Sequence, residues 1–249
     1  MSDSKSCLAT RLNNYINIDS RLEDLLGKLE KNEETYEENV HVHHSGDETK
    51  NLYVVKQGWF LSYTDLPDGG RLVAQIHHPG DILGFSGIAY VNQAVSLKSC
   101  TNGCLCPFDK QDLDLIFTTA PDLTALLFSL AVREQVVSID RLKAVSRMNA
   151  QARLAYFLLD LIYRLRMTNS TMTNEFRLPL TQTEIGDAIG LTNVSVSRTF
   201  RKMEALDLIK RTTIGIKLLD ESALVDLCDF EDRHTQIDTS WFPRQSLAC

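Results

Sequence analysis

From Asp122 to Leu165 the chain runs for 44 residues, DLTALLFSLAVREQVVSIDRLKAVSRMNAQARLAYFLLDLIYRL, without a glycine or a proline. Its apolar residues recur every three to four positions, the period of an amphipathic helix, so this stretch reads as one long helix with a break near Met148–Ala150. A helix of that length is the one element around which the texture of the chain changes. With 249 residues, 43% of them hydrophobic, there is room for one large or two ordinary domains with real cores.

Upstream the texture is different. From Val40 to Phe108 short apolar runs alternate with turn signals at Gly58, Asp68-Gly69-Gly70, Pro79-Gly80 and Asn102-Gly103, which predicts an all-β roll or barrel preceded by an amphipathic helix over Asp19–Leu29. No run approaches the roughly 20 apolar residues of a membrane span, and the polar opening has no secretory pattern. The expected address is the cytoplasm, with no membrane partner. Six cysteines are too few for a disulfide framework and are expected as thiols.

Downstream, residues 178–219 carry the most specific pattern. Thr181 and Glu184 form a capping box that starts a helix burying Ile185 and Ile189. Gly186 is small where a second helix must cross, and Gly190 can take the left-handed conformation that ends the first helix. The second helix, Asn193 to Ala205, has a buried face of Val196, Phe200 and Met203 and a polar face suited to the major groove. LDLIKRTTIGIKLLD then reads as a hairpin wing bearing Lys210, Arg211 and Lys217. The net charge is −7, yet residues 141–220 carry +6 between an acidic N-terminal part of −9 and a C-terminal part of −4. A basic block at the winged segment is the electrostatic footprint of a nucleic-acid binder.

On this face Asn193, Val194, Ser197 and Arg198 are expected to contact bases. Thr181, Thr183, Thr192, Ser195, Arg201, Lys202, Lys210 and Arg211 are expected on phosphates. In the long helix Leu123, Leu127, Leu130, Val137 and Ala144 follow a heptad, with Glu134 and Arg141 at two of its steps, and are expected to form a dimer seam.

Taken together, the chain resembles the CRP/FNR family of bacterial transcription regulators over nearly its full length. The nearer likeness is to the FNR and FixK branch, through GDILGFSGI (80–88), CLCPFDKQDLD (104–114), NAQARLAYFLLDL (149–161), EFRLPLTQTEIGDAIGLT (175–192) and VSRTF (196–200). The resemblance implies an α+β chain. Residues 1–120 would form an N-terminal helix and a β-roll, cupin-like and of the cyclic-nucleotide-binding type. Residues 121–150 would be the dimerisation helix, 151–232 a winged helix-turn-helix and 233–249 a C-terminal tail. It implies a homodimer on an inverted repeat of double-stranded DNA, an activator contacting RNA polymerase, and no enzyme. Neither a phosphate-cradling glycine loop, a nucleophile elbow nor a metalloprotease helix is present in the sequence. The alternative is a small-molecule- or redox-responsive module whose winged segment binds protein.

The chain departs from the family in three places. Many relatives carry Glu where Val194 stands, so the half-site is expected to differ from the TTGA or GTGA type; Val offers apolar contact, for example to a thymine methyl. Cyclic-AMP-binding members use Gly-Glu and Arg-Ser pairs, whereas this chain reads Gly84-Phe85-Ser86-Gly87 and Asn92-Gln93-Ala94-Val95-Ser96, with no Arg or Lys between Arg71 and Lys98. That argues against cyclic AMP. Oxygen-sensing FNR proteins hold an iron–sulfur cluster on three N-terminal cysteines and one in the roll, and here only Cys7 precedes residue 100. No cofactor is assigned and no metal site is expected. A thiol switch from Cys100, Cys104 and Cys106 stands beside the simpler reading of buried thiols. His41 and His43 are expected to face solvent from one strand, and the tail to be poorly ordered.

Overall fold

The computed structural model describes residues 6–243, apart from the side chain of Ser86. Two compact units are formed, one from residues up to 62, 76–134 and 236 onward, the other from residues 63–75 and 135–235.

The first unit opens with α1 (Cys7–Leu12), capped by Ser6, and α2 (Ser20–Leu29), capped by Asp19, whose side-chain oxygens accept from the amides of Ala9 and Leu22 at 2.9 Å each. Eight strands follow: β1 (Glu34–Tyr36), β2 (His41–His43), β3 (Asn51–Gln57), β4 (Phe60–Asp65), β5 (Arg71–His77), β6 (Ile82–Leu83), β7 (Ser96–Ser99) and β8 (Gly103–Asp109). They form two four-stranded sheets, ordered β1-β8-β3-β6 and β2-β7-β4-β5. Successive side chains on a strand point to opposite faces, and β3 and β8 are buried on both. Val55 and Leu105 join Phe60, Leu83 and Leu97 in the core between the sheets. Leu52, Val54, Cys106 and Phe108 point the other way, into a second core with α1, α2, α3 (Asp112–Thr119) and the start of α4 (Pro121–Arg147).

His41 and His43 do not share one environment. The β2–β7 register shifts between them, so His41 is exposed and stacks on His44 at 4.6 Å, while His43 is half-buried against Tyr53 at 6.3 Å.

The second unit is built on α5 (Ala150–Arg166). Asn149 breaks the long helix by capping α5, its side-chain oxygen accepting from the Ala152 amide at 3.1 Å. Nearly every α5 side chain is buried, which explains a sequence apolar around the whole helix. Then come β9 (Glu175–Phe176), α6 (Gln182–Ile189), α7 (Asn193–Ala205), β10 (Ile209–Arg211), β11 (Ile216–Leu218) and α8 (Glu221–Cys228). The wing is a three-stranded sheet ordered β10-β11-β9 rather than the two-stranded hairpin expected. β9 is two residues long and joins by pairing Phe176 with Ile216 and Glu175 with Lys217.

The tail is docked where disorder was expected. His234 is 1% exposed, with Nε2 2.7 Å from Asp160, and Phe242 is buried in the first unit's core. Residues 244–249 lie outside the described residues. No single helix among the described residues is long and apolar enough to cross a membrane.

Candidate nucleic-acid interface

Local chemistry sets the angle between α6 and α7. Thr181 Oγ1 accepts from the Glu184 amide at 3.1 Å, and the Glu184 carboxylate accepts from the Thr181 amide at 2.8 Å. Such a reciprocal cap contributes about 1 kcal/mol. α6 ends at Gly190 with φ +67°, a conformation that costs glycine nothing. The turn then brings the Leu191 carbonyl against Gly186, and α7 restarts from Thr192, whose hydroxyl accepts from the Ser195 amide at 3.2 Å.

Val196, Phe200 and Met203 are buried, so the rest of α7 is turned outward. Val194, 68% exposed, sits in the first helical turn beside Asn193, whose side-chain amide donates to Thr183 across the turn at 3.4 Å. Ser197 stands one turn on and accepts from Arg201 at 3.5 Å. Arg198, Arg201 and Lys202 are exposed, and none forms an ion pair among the described residues. Cations, short polar side chains and one apolar methyl pair along the outward face of one helix can supply a bidentate guanine contact, phosphate contacts and a thymine contact.

The expected phosphate contacts do not all stand free. Arg211 is tied back to Glu204, donating from Nε at 3.1 Å and Nη2 at 2.6 Å, while its amide donates to the same carboxylate at 3.0 Å. The guanidinium holds the Glu204 carboxyl below its usual range. Arg211 therefore anchors the wing to α7 and is not a free cation, whereas Lys210 on the same strand is exposed and forms no ion pair among the described residues. The hydroxyls of Thr181, Thr192 and Ser195 are engaged in helix caps. Glu204 is the residue sequence reasoning missed; its seven-residue separation from Arg211 across a turn gave no signal.

The heptad expected as a dimer seam is largely covered by the protomer itself. Leu123, Leu127, Val137 and Ala144 are buried within the chain, Leu130 packs on the first unit's core, and Glu134 is paired with Arg133 at 3.1 Å. Arg141 turns inward to Asp160 at 3.2 Å. Phe128, Val132, Ile139 and Leu142 of α4 are exposed and with Gln135 and Ser146 follow a second heptad on roughly the opposite face, and Val136 and Val145 beside it are exposed as well. Two heptads coexist in the sequence, and periodicity alone does not say which one the protomer itself covers.

In the β-roll, Cys100, Cys104 and Cys106 are all buried. Burial pushes the Cys106 thiol up to about 12 and raises Cys104 and Cys7 above their ordinary value, the opposite of an activated thiol. Cys104 and Cys106 share the face of β8 that meets the helices, and the Cys104 thiol donates to Glu33 at 3.8 Å.

Residues 152–227 match the Crp-like helix-turn-helix domain, and residues 33–119 match the cyclic nucleotide-binding domain. The chain belongs to the CRP/FNR family of transcription regulators. It is therefore a DNA-binding transcription regulator and not an enzyme, of a family whose members act as dimers. The fumarate and nitrate reduction regulatory protein of Vibrio cholerae is 26% identical over 226 residues, covering 91% of this chain and 88% of that one. Its counterpart in Yersinia pestis is 27% identical over 183 residues, covering 74% and 73%. Among solved structures, FixK2 from Bradyrhizobium japonicum shares the fold with a TM-score of 0.70 at 22% identity, over 79% of this chain and 96% of that one. A CooA mutant from Carboxydothermus hydrogenoformans gives 0.64 at 17%, over 92% and 97%.

The roll of this CRP/FNR regulator departs from a cyclic-AMP site in its turn packing and its charge. A β-carbon on Gly87 would meet Gln93 Oε1 at 3.0 Å and Thr49 Cγ2 at 3.5 Å, so this turn packs on the chain's own buried side chains. No Arg or Lys lies between 71 and 98 to neutralise a phosphate, and the Lys110 ammonium donates to the Ile88 and Tyr90 carbonyls at 3.4 and 3.1 Å. The donor set for an FNR-type cluster is likewise incomplete, with Cys7 the one thiol before residue 100.

Proposed function

We propose that the regulator binds an inverted repeat as a homodimer joined along the Phe128, Val132, Ile139 and Leu142 stripe of α4, placing one α7 in the major groove of each half-site. The supporting observation is the outward face of α7, where Val194, Asn193, Ser197 and Arg198 are held at the start of a helix whose position Gly186 and two caps determine. Arg198 reads a guanine and Val194 a thymine methyl, while Arg201, Lys202 and Lys210 bind phosphates. On a promoter the dimer acts as an activator that touches RNA polymerase, and it works in the cytoplasm, where its DNA lies. Selection of bound duplexes from a random pool by reduced protein at near-physiological salt tests this. Enrichment of an inverted repeat with half-sites about one helical turn apart is expected; a single unpaired motif, or none, contradicts it.

A further inference from the structure

Helices α4 and α5 are joined by two residues, Met148 and Asn149, so backbone torsions there can swing α5, and the helix-turn-helix built on it, against α4. The segment that follows α8 lies outside the residues matched by the helix-turn-helix family, which end at 227, and bonds to both sides of this hinge. On the α4 side Arg233 Nε donates to Asp140 at 2.9 Å and Asp229 accepts from Lys143 at 2.9 Å. On the α5 side Phe230 packs between Tyr156 and Tyr163, with ring centroids 5.6 and 5.2 Å away, and His234 Nε2 meets Asp160 Oδ1 at 2.7 Å.

Asp160 is the centre. Its other oxygen accepts from Arg141 of α4 at 3.2 Å and lies 3.8 Å from Arg164. Arg141 also donates from Nη1 to the Ala74 carbonyl at 3.2 Å, tying in the middle of β5. A buried ionic cluster adds little net stability, since desolvation offsets the attraction, but it pairs in one arrangement only and so fixes geometry. We propose that residues 229–235 are a latch that locks the hinge through the Arg141–Asp160–His234 node, and that the latch sets which half-site spacing the dimer accepts. This rests on the inverted-repeat reading above.

The test measures binding of wild type, His234→Ala, Arg233→Gln and His234→Gln to the selected repeat, to repeats with one or two base pairs added or removed at the centre, and to a single half-site. His234→Ala and Arg233→Gln are expected to lose roughly tenfold on the native spacing, to flatten the spacing preference and to leave half-site binding unchanged, because only simultaneous engagement is affected. His234→Gln, which can still donate to Asp160, is expected to restore the preference. Variants that keep the wild-type spacing preference overturn the latch alone. Equal losses on repeat and half-site also overturn it, in favour of a general folding role. A wild type indifferent to pairing and spacing overturns both readings together.

Discussion

A β-carbon built on Gly186 stands 2.3 Å from the carbonyl oxygen of Leu191, closer than any real contact. The obstacle is backbone, so it cannot be relieved by turning a side chain. Gly186→Ala should force α6 and α7 apart and destabilise the second unit by about 1–3 kcal/mol. Specific DNA binding should fall further than stability does, because the position of α7 is what changes. Chemical denaturation beside operator titration checks this; a variant with unchanged binding would show that the helix crossing does not set the reading face.

Ile139 is 63% exposed on α4 and Val137, two residues away, is fully buried. Ile139→Asp should convert the dimer to monomer in sedimentation analysis while the protomer keeps its fold. Val137→Ala should leave association intact and cost roughly 2 kcal/mol of stability. The reverse pattern would return the seam to the inner heptad.

Asp160 is buried, and although desolvation alone would raise its pKa, Arg141, His234 and Arg164 together hold its carboxyl far below the usual carboxylate range. A group depressed on folding contributes stability above its unfolded pKa and loses it as pH falls, because the unfolded chain binds the proton first. Asp160→Asn should therefore cost about 3–5 kcal/mol at pH 7, leaving buried cations uncompensated. The gap between wild type and variant should narrow below about pH 4, where the unfolded carboxyl protonates. Urea unfolding across pH 7 to 3 measures it, and a gap independent of pH would contradict the charge assignment.

Legibility in the sequence followed the range of the interaction. The Thr181–Glu184 box, the Gly190 end of α6 and the split between Val196, Phe200, Met203 and the polar face of α7 are set within a few residues, and each could be read directly. The strand content of the roll announced itself through its turns. What escaped was non-local. Glu204 captures Arg211 across a turn, β9 is too short to show a period, and His234 reaches Asp160 across 74 positions. The α4 stripe was ambiguous for a different reason: two apolar heptads share the helix, and only the packed structure shows which one the protomer buries.

Arg198 and Lys202 lie four residues apart on the exposed side of α7, yet their loss should differ in kind. Arg198→Ala should cost about 1–3 kcal/mol on the selected site and relax preference at one base pair per half-site. Lys202→Ala should weaken all duplexes alike and reduce the slope of log affinity against log salt by about one per chain. Titrations on cognate and scrambled duplexes at several salt concentrations separate the two; equal losses on both duplexes for Arg198→Ala would remove its base-reading role.

The most direct test of α7 as the reading helix of a symmetric dimer is duplex selection run in parallel with wild type and Val194→Glu. Wild type is expected to enrich an inverted repeat with a thymine at one position of each half-site. The variant is expected to change that same position in both halves, toward a cytosine whose amino group a carboxylate can accept from. An identical motif from both proteins, or a change in one half only, would contradict the account.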